Sequence, residues 1–190
     1  MDKKQLRHVL RQKAERISLL ERERSDLALF TRFLTLVHPN ETILLFFGVG
    51  TEPKTGFLIA KLLAQKIRVC LPRCLPDHQM EARQIQDLGQ LVTGAYGIPE
   101  PNTDCPIVPP GDLDLILVPA LSCDLLGGRL GQGGGFYDRF LPKTRALTVC
   151  LCRDALLQEH IPLESHDCKV ALVLTERKEG GSPPPSPENR

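Results

Sequence analysis

Six of the nine residues from Gly127 to Gly135 are glycine, Arg129 lies inside the run, and Asp138 follows shortly after it. Glycine lets a backbone reach positive φ and approach a ligand closely. Successive N–H groups in such a loop form a concave anion site. An arginine within it can fork onto phosphate oxygens, and a carboxylate just beyond it can hold a hard cation. The chemistry suggested is nucleotide phosphate binding. Two common phosphate motifs do not describe the segment. A P-loop needs Lys and then Ser or Thr after its last glycine, whereas Gly133 is followed by Gly134 and Gly135. The dinucleotide pattern would start at Gly131 and Gly133 but meets Phe136 at its third position, and it belongs after the first strand of a βαβ unit. A flexible surface turn is the plain alternative. It leaves the compact FYDRFL segment unexplained, where Phe136 and Phe140, like Tyr137 and Leu141, are spaced i, i+4 as in a short packed helix. Asp138 then falls in a first turn, where the helix dipole alone also favours an acid.

Other residues carry weaker signals. Lys3 and Arg7 share one helix face and could grip a polyphosphate, although a solvated face explains the same spacing. Glu52 follows an apolar run across Gly-Val-Gly. An acid there suits a donor-rich heterocycle such as a pterin, or is a surface turn residue. Asp167, beside His166, is a second candidate metal carboxylate or a turn residue. Gly97-Ile-Pro-Glu-Pro101 could wall a cleft or merely connect. His8, His38, His78 and His160 have no ligand spacing.

The elements that must position these residues follow from composition and pattern. A chain of 190 residues suits one domain with a sizeable core. The formal net charge is +1, with no Trp and two Tyr, so neither a nucleic-acid surface nor a base-stacking platform is expected. The charged start lacks the apolar run of a secretory signal, and no stretch approaches the ~20 apolar residues of a membrane span, so a cytoplasmic protein is expected. Seven cysteines without a C-x-x-C suggest neither a disulfide framework nor a zinc site. Cys70, Cys150 and Cys152 read as small core residues, and Cys123, beside the glycine loop, lacks an evident base.

Residues 2–37 read as two helices breaking near Ile17–Ser18. Thr42–Phe47, Ile67–Pro72, Asp114–Pro119, Ala146–Leu151 and Val170–Thr175 read as strands, the continuous apolar runs as strands buried on both faces. Gln79–Ile85 reads as a short strand, and Phe57–Ala64 and Ala155–Glu159 as helices. Residues 72–76 read as a loop, and 93–113 as a long irregular connection. Alternation of this kind predicts a mostly parallel sheet covered on both faces, with ligands beyond the carboxyl ends of its strands. The expected domain is 1–177, and the composition of 178–190 predicts a disordered tail.

In that order, these segments resemble the 5-formyltetrahydrofolate cyclo-ligase (methenyltetrahydrofolate synthetase) family. Arg129–Asp138, RLGQGGGFYD, resembles its signature R-L-G-x-G-x-G-[YF]-Y-D. Lys3 and Arg7, Glu52, Leu71-Pro-Arg73, Gly97–Pro101, His166-Asp167 and Thr175-Glu176 follow the family order from about Lys3 to Glu176. The resemblance implies a three-layer α/β/α fold, NagB/RpiA/CoA-transferase-like, with a central mostly parallel sheet and N-terminal helices. It implies ATP-dependent closure of 5-formyltetrahydrofolate to 5,10-methenyltetrahydrofolate by a monomer, with ATP as co-substrate and Mg²⁺ as cofactor. It implies that Lys3, Lys4, Gln5, Leu6, Arg7, Arg129, Leu130, Gly131, Gln132, Gly133, Gly134, Gly135, Phe136 and Tyr137 contact ATP. Phe47, Glu52, Tyr96 and Gln132–Phe136 would line the folate, Asp138 and Asp167 would hold the metal, and Arg129 and Asp138 would carry catalysis. Four positions depart from the pattern. Gly134 stands where some members carry Lys, Phe136 replaces the commoner Tyr, Ala171 replaces a second Asp, and Lys54 replaces a frequent acid. If the acid missing at Ala171 supports the metal, weaker magnesium binding follows. A non-catalytic folate- or nucleotide-binding paralogue, and an ATP-dependent ligase or kinase on another small substrate, are the alternative functions.

Overall fold

A computed structural model describes residues 1–182. Two helices open the chain, α1 (Lys3–Arg16) and α2 (Leu19–Leu34). Each begins with a capping box, Asp2 with Gln5 and Ser18 with Glu21, which places the break at Ile17–Ser18. Strand β1 (Thr42–Leu44) leads to α3 (Gly56–Ala64), and β2 (Arg68–Leu75) forms a hairpin with β3 (Gln79–Ile85). Next come β4 (Leu91–Thr93), β5 (Pro99–Pro101), β6 (Ile107–Val108) and β7 (Leu115–Val118). The glycine segment runs from the turn between the short paired strands β8 (Ser122–Cys123) and β9 (Arg129–Leu130), through β9, to helix α4 (Phe136–Phe140). Strands β10 (Leu147–Leu151), β11 (Leu172–Leu174) and β12 (Glu179–Gly180) complete the chain.

The central sheet has eight strands in the order β12-β11-β10-β7-β1-β2-β3-β6. Its middle five, β11 to β2, are parallel, while β12, β3 and β6 pair antiparallel at the two sides. Side chains alternate across it. Ile43, Leu115, Leu117, Val149 and Leu151 join Leu29 and Phe33 of α2 and Leu58, Ile59 and Leu62 of α3 in one core. Leu44, Ile116, Val118 and Cys150 join Leu6, Leu10 and Ala14 of α1 and Phe140 of α4 in the other. This period-two split makes both faces of the middle strands apolar, as a doubly covered parallel sheet requires. The architecture is the α/β/α sandwich that the strand runs predict.

Four expectations change. The 72–76 segment is not a loop, because β2 pairs with β3 through Leu75. The β1 ladder ends at the Leu44–Cys70 pair, so Pro72 faces only one strand and its missing N–H is tolerated. Residues 93–113 hold strand β5, which pairs back onto β4, and the edge strand β6. The helix expected at Ala155–Glu159 is one 3-10 turn, Asp154–Leu156. Within the predicted tail, Glu179–Gly180 form β12 and pair with β11. The remainder of the predicted tail, 183–190, lies outside the described residues. No helix among the described residues is long and apolar enough to cross a membrane.

Candidate active site

A cleft of about 850 Å³ opens beyond the carboxyl ends of the parallel strands, within the roughly 300–1,000 Å³ typical of small-molecule sites. Its walls include Lys3, Lys4 and Arg7 of α1, Phe47, Glu52, Tyr96, every residue from Arg129 to Asp138, and Asp167. Segments distant in sequence thus line one cleft. Gln5 and Leu6 do not line it. Gln5 is engaged in the α1 capping box and Leu6 packs in the core, because an α-helix turns only every third or fourth residue to one side.

The glycine loop is organised from outside. Arg7 Nε donates to Gly131 O at 2.8 Å, and Arg11 donates to Gln132 Oε1 at 2.8 Å. Arg139 donates to Gly134 O at 3.3 Å and Gly135 O at 3.0 Å. Arginines therefore take up the carbonyls of Gly131, Gly134 and Gly135. The N–H groups of Gln132 to Gly135 donate to no protein acceptor among the described residues. Gly133 at φ +102° and Gly135 at +69° hold the turn in conformations a side chain would strain. Buried Asp124 fixes the approach to this loop. Its Oδ1 accepts from Leu126 N at 2.9 Å and Gly128 N at 2.8 Å, and its Oδ2 accepts from Ile161 N at 2.8 Å. Sequence reasoning missed Asp124, although an Asp two residues before a turn is a usual cue for side-chain-to-backbone bonding.

Arg129 and Asp138 are not independent groups. Arg129 Nη2 meets Asp138 Oδ1 at 2.6 Å, with the Arg129 side chain 6 % exposed. Cys168 N also donates to that oxygen at 3.0 Å. Arg129 Nε and the Tyr137 hydroxyl are buried without a protein hydrogen-bond partner among the described residues. Burial pushes the Tyr137 phenol well above its ordinary range, with Arg129 opposing and Glu52 and Cys74 adding to the rise. Asp167 pairs with Lys3, and its Oδ2 accepts from Glu164 N at 2.5 Å. Burial alone would raise its pKa, but the Glu164 N–H and Lys3 outweigh that and hold the carboxyl low.

Glu52 has the opposite character. Burial raises its pKa, partly offset by Val49 N–H at 3.1 Å and by the Gln132 side chain. Phe136 meets Tyr96 edge-on, with ring centroids 6.2 Å apart, and His78 at 5.4 Å. Cys123 lies buried 2.9 Å from Cys150, and its thiol is pushed upward by burial, which fits a core residue and not a nucleophile.

Among the described residues no cluster of three His, Cys, Asp or Glu is arranged to hold a metal. Asp138 and Asp167 nevertheless face one cleft, and their protein hydrogen bonds fall on a single oxygen each. Two partly engaged carboxylates fit a small hard cation that takes most of its ligands from phosphate and water. Ala171 lies outside the cleft walls, and its N–H bonds Thr148 Oγ1 at 2.9 Å, so the missing acid does not alter them.

The profile of the 5-formyltetrahydrofolate cyclo-ligase family matches residues 1–176. The chain is 35 % identical over 183 residues to the 5-formyltetrahydrofolate cyclo-ligase of Mycolicibacterium smegmatis, covering 93 % of this chain and 94 % of that protein. It is 28 % identical over 194 residues to the mouse protein of that name, covering 92 % and 93 %. The solution structure of Aquifex aeolicus 5,10-methenyltetrahydrofolate synthetase superposes with a TM-score of 0.84 at 28 % identity, covering 95 % of this chain and 93 % of that one. The chain therefore belongs to the 5-formyltetrahydrofolate cyclo-ligase family of enzymes.

Proposed function

We propose that the protein closes 5-formyltetrahydrofolate to 5,10-methenyltetrahydrofolate at the expense of ATP, releasing ADP and phosphate, as a cytoplasmic enzyme. The observation that carries the ATP requirement is the glycine loop. The carbonyls of Gly131, Gly134 and Gly135 are turned onto arginines, and among the described residues the N–H groups of Gln132 to Gly135 have no protein acceptor, beside Lys3, Lys4, Arg7 and Arg129 in one cleft. That arrangement suits polyphosphate.

A formamide oxygen is a poor leaving group. Its phosphorylation gives an imidophosphate, which the folate's N10 attacks as phosphate departs. Alignment and charge neutralisation suffice for this, with no protein nucleophile. Lys3 and Arg7 would hold the nucleotide, and Arg129 would offset charge on the transferred phosphoryl group. Magnesium, held by Asp138 and Asp167, would supply further neutralisation of phosphate charge. Asp138→Asn is expected to lower turnover and raise the magnesium concentration needed for half-maximal rate. An unchanged magnesium dependence would remove Asp138 from that role.

Glu52 would accept the paired N–H groups of the pterin. Glu52→Gln is expected to raise KM for 5-formyltetrahydrofolate about tenfold or more, the worth of a charge-assisted hydrogen bond, with ATP affinity intact. The ionised carboxylate is the better acceptor, and burial raises the Glu52 pKa. Substrate affinity should therefore fall on acidification while ordinary carboxylates are still charged. Steady-state KM measured against pH would lose that acid limb in Glu52→Gln. An identical limb in the variant would assign the effect elsewhere.

The direct test is absorbance at the methenyl-folate band with purified protein, 5-formyltetrahydrofolate and Mg²⁺, with and without ATP. Growth only with ATP supports the reading. A flat trace with both ligands bound would favour a non-catalytic binding protein. ATP binding without folate binding would favour another substrate.

A further inference from the structure

We infer that Glu100 is a second acid of the substrate pocket, accepting a secondary-amine N–H of the reduced folate, N8–H or N10–H, that Glu52 does not take. This rests on the folate reading above and names a recognition residue within it. Glu100 borders the same cleft and is only 4 % exposed. Among the described residues the side-chain partner of its carboxylate is the Cys74 thiol, and no ion pair reaches it. Its chemical neighbour is Cys74, whose thiol is pushed up to about 12 by burial first and then by Glu100. A thiol is a weak donor and does not compensate a buried carboxylate. A buried acid left in this way has use for a ligand donor.

The surroundings hold it in place. Glu100 is the middle residue of β5, between Pro99 and Pro101, and a following proline restricts it to extended backbone. Arg73 Nη1 donates to Pro101 O at 2.6 Å and fastens β5 to β2. Opposite, a Cβ on Gly94 would come within 2.2 Å of Glu100 Cδ and 2.4 Å of its Oε2. Only glycine at that position lets the carboxylate keep its place. Strand and turn together thus fix one acid rigidly at the wall.

The ligand chemistry supplies a matching donor. If Glu52 takes N3–H and one 2-amino N–H, 5-formyltetrahydrofolate retains two secondary-amine donors, N8–H of the pterin ring and N10–H of the bridge. The analogue with carbon at position 8 lacks the first, and the analogue with carbon at position 10 lacks the second.

The test is calorimetric affinity for 5-formyltetrahydrofolate and for its 8-deaza and 10-deaza analogues, without ATP, in the wild type, Glu100→Gln and Glu100→Leu. Glu100→Leu is expected to bind the parent about tenfold or more weakly, and Glu100→Gln, which keeps one oxygen acceptor, to lose less. One deaza analogue should bind all three proteins alike, which identifies the N–H. ATP affinity should not move. Unchanged parent affinity in both variants would overturn the proposal, as would an equal loss against the parent and both analogues, the mark of a merely structural residue. If Glu100→Leu does not fold, Glu100→Gln against the analogues decides alone. Failure of the wild type itself to bind 5-formyltetrahydrofolate would instead overturn the folate reading.

Discussion

Arg129→Met is expected to lower kcat for cyclisation about 100- to 1,000-fold, the usual loss when one preorganised charge donor is removed from a developing anion. Arg129 combines three properties that a surface cation lacks. Its side chain is 6 % exposed, it is fixed by the 2.6 Å pair with Asp138, and it lies in the cleft beside the open N–H groups of the loop. Its Nε has no protein partner among the described residues, so donor capacity is held in reserve where water is scarce. In such a site a charge acts far more strongly than in bulk water. The competing view makes Arg129 only the counter-ion of Asp138. Arg129→Lys separates the two, since it keeps the charge and loses the fork. If the fork aligns phosphate, Lys should restore only part of kcat while calorimetric folate affinity stays near wild type. A kcat for Arg129→Met within about threefold of wild type, in protein shown by melting to be folded, would sink the catalytic assignment. The same variant with Asp138→Asn added should lose little more, because residues in direct contact do not act additively.

What the sequence revealed and what it hid divide along physical lines. The middle strands were legible because both their faces are covered, leaving unbroken apolar runs such as DLILVP. The hairpin β2–β3 was hidden at its tip by Pro72 and Pro76, which read as breaks. Only the pairing register shows that β1 has already ended beside Pro72. The glycine loop announced itself by composition. Glu100 did not, since an acid between two prolines has no periodicity and resembles a connector. Asp26 and Arg153 were equally hidden. One lies in a strongly charged helix and the other just after a strand, and each alone reads as a solvated charge. Only the folded chain makes them partners.

That partnership carries the largest expected effect on stability. Arg153 Nη2 lies 2.7 Å from Asp26 Oδ1, with side-chain exposures of 3 % and 9 %. The two atoms meet as an ion pair without the angle of a directed hydrogen bond. Arg153 Nη1 also donates to Arg22 O at 3.1 Å, which ties the end of β10 to α2. Asp26→Ala strands a buried guanidinium and is expected to cost about 3–5 kcal/mol. In a domain of this size that lowers Tm by roughly 6–20 °C. The double variant Asp26→Leu with Arg153→Met should recover much of the loss, because removing both charges also removes their desolvation penalty. The pair reaches the site as well. Asp26 Oδ2 accepts from Lys54 N at 3.0 Å, two residues after Glu52 in the same turn. Asp26→Asn keeps an oxygen for Lys54 N–H while losing the charge. It should therefore lower Tm yet leave KM for 5-formyltetrahydrofolate nearly unchanged, whereas Asp26→Ala should lower Tm and raise that KM. Thermal melts and steady-state kinetics at a temperature where both variants are folded would separate these effects. Equal KM increases in the two variants would mean that the Lys54 bond does not position Glu52. A Tm loss under about 2 °C in Asp26→Ala would mean that the buried pair does not hold α2 to the sheet.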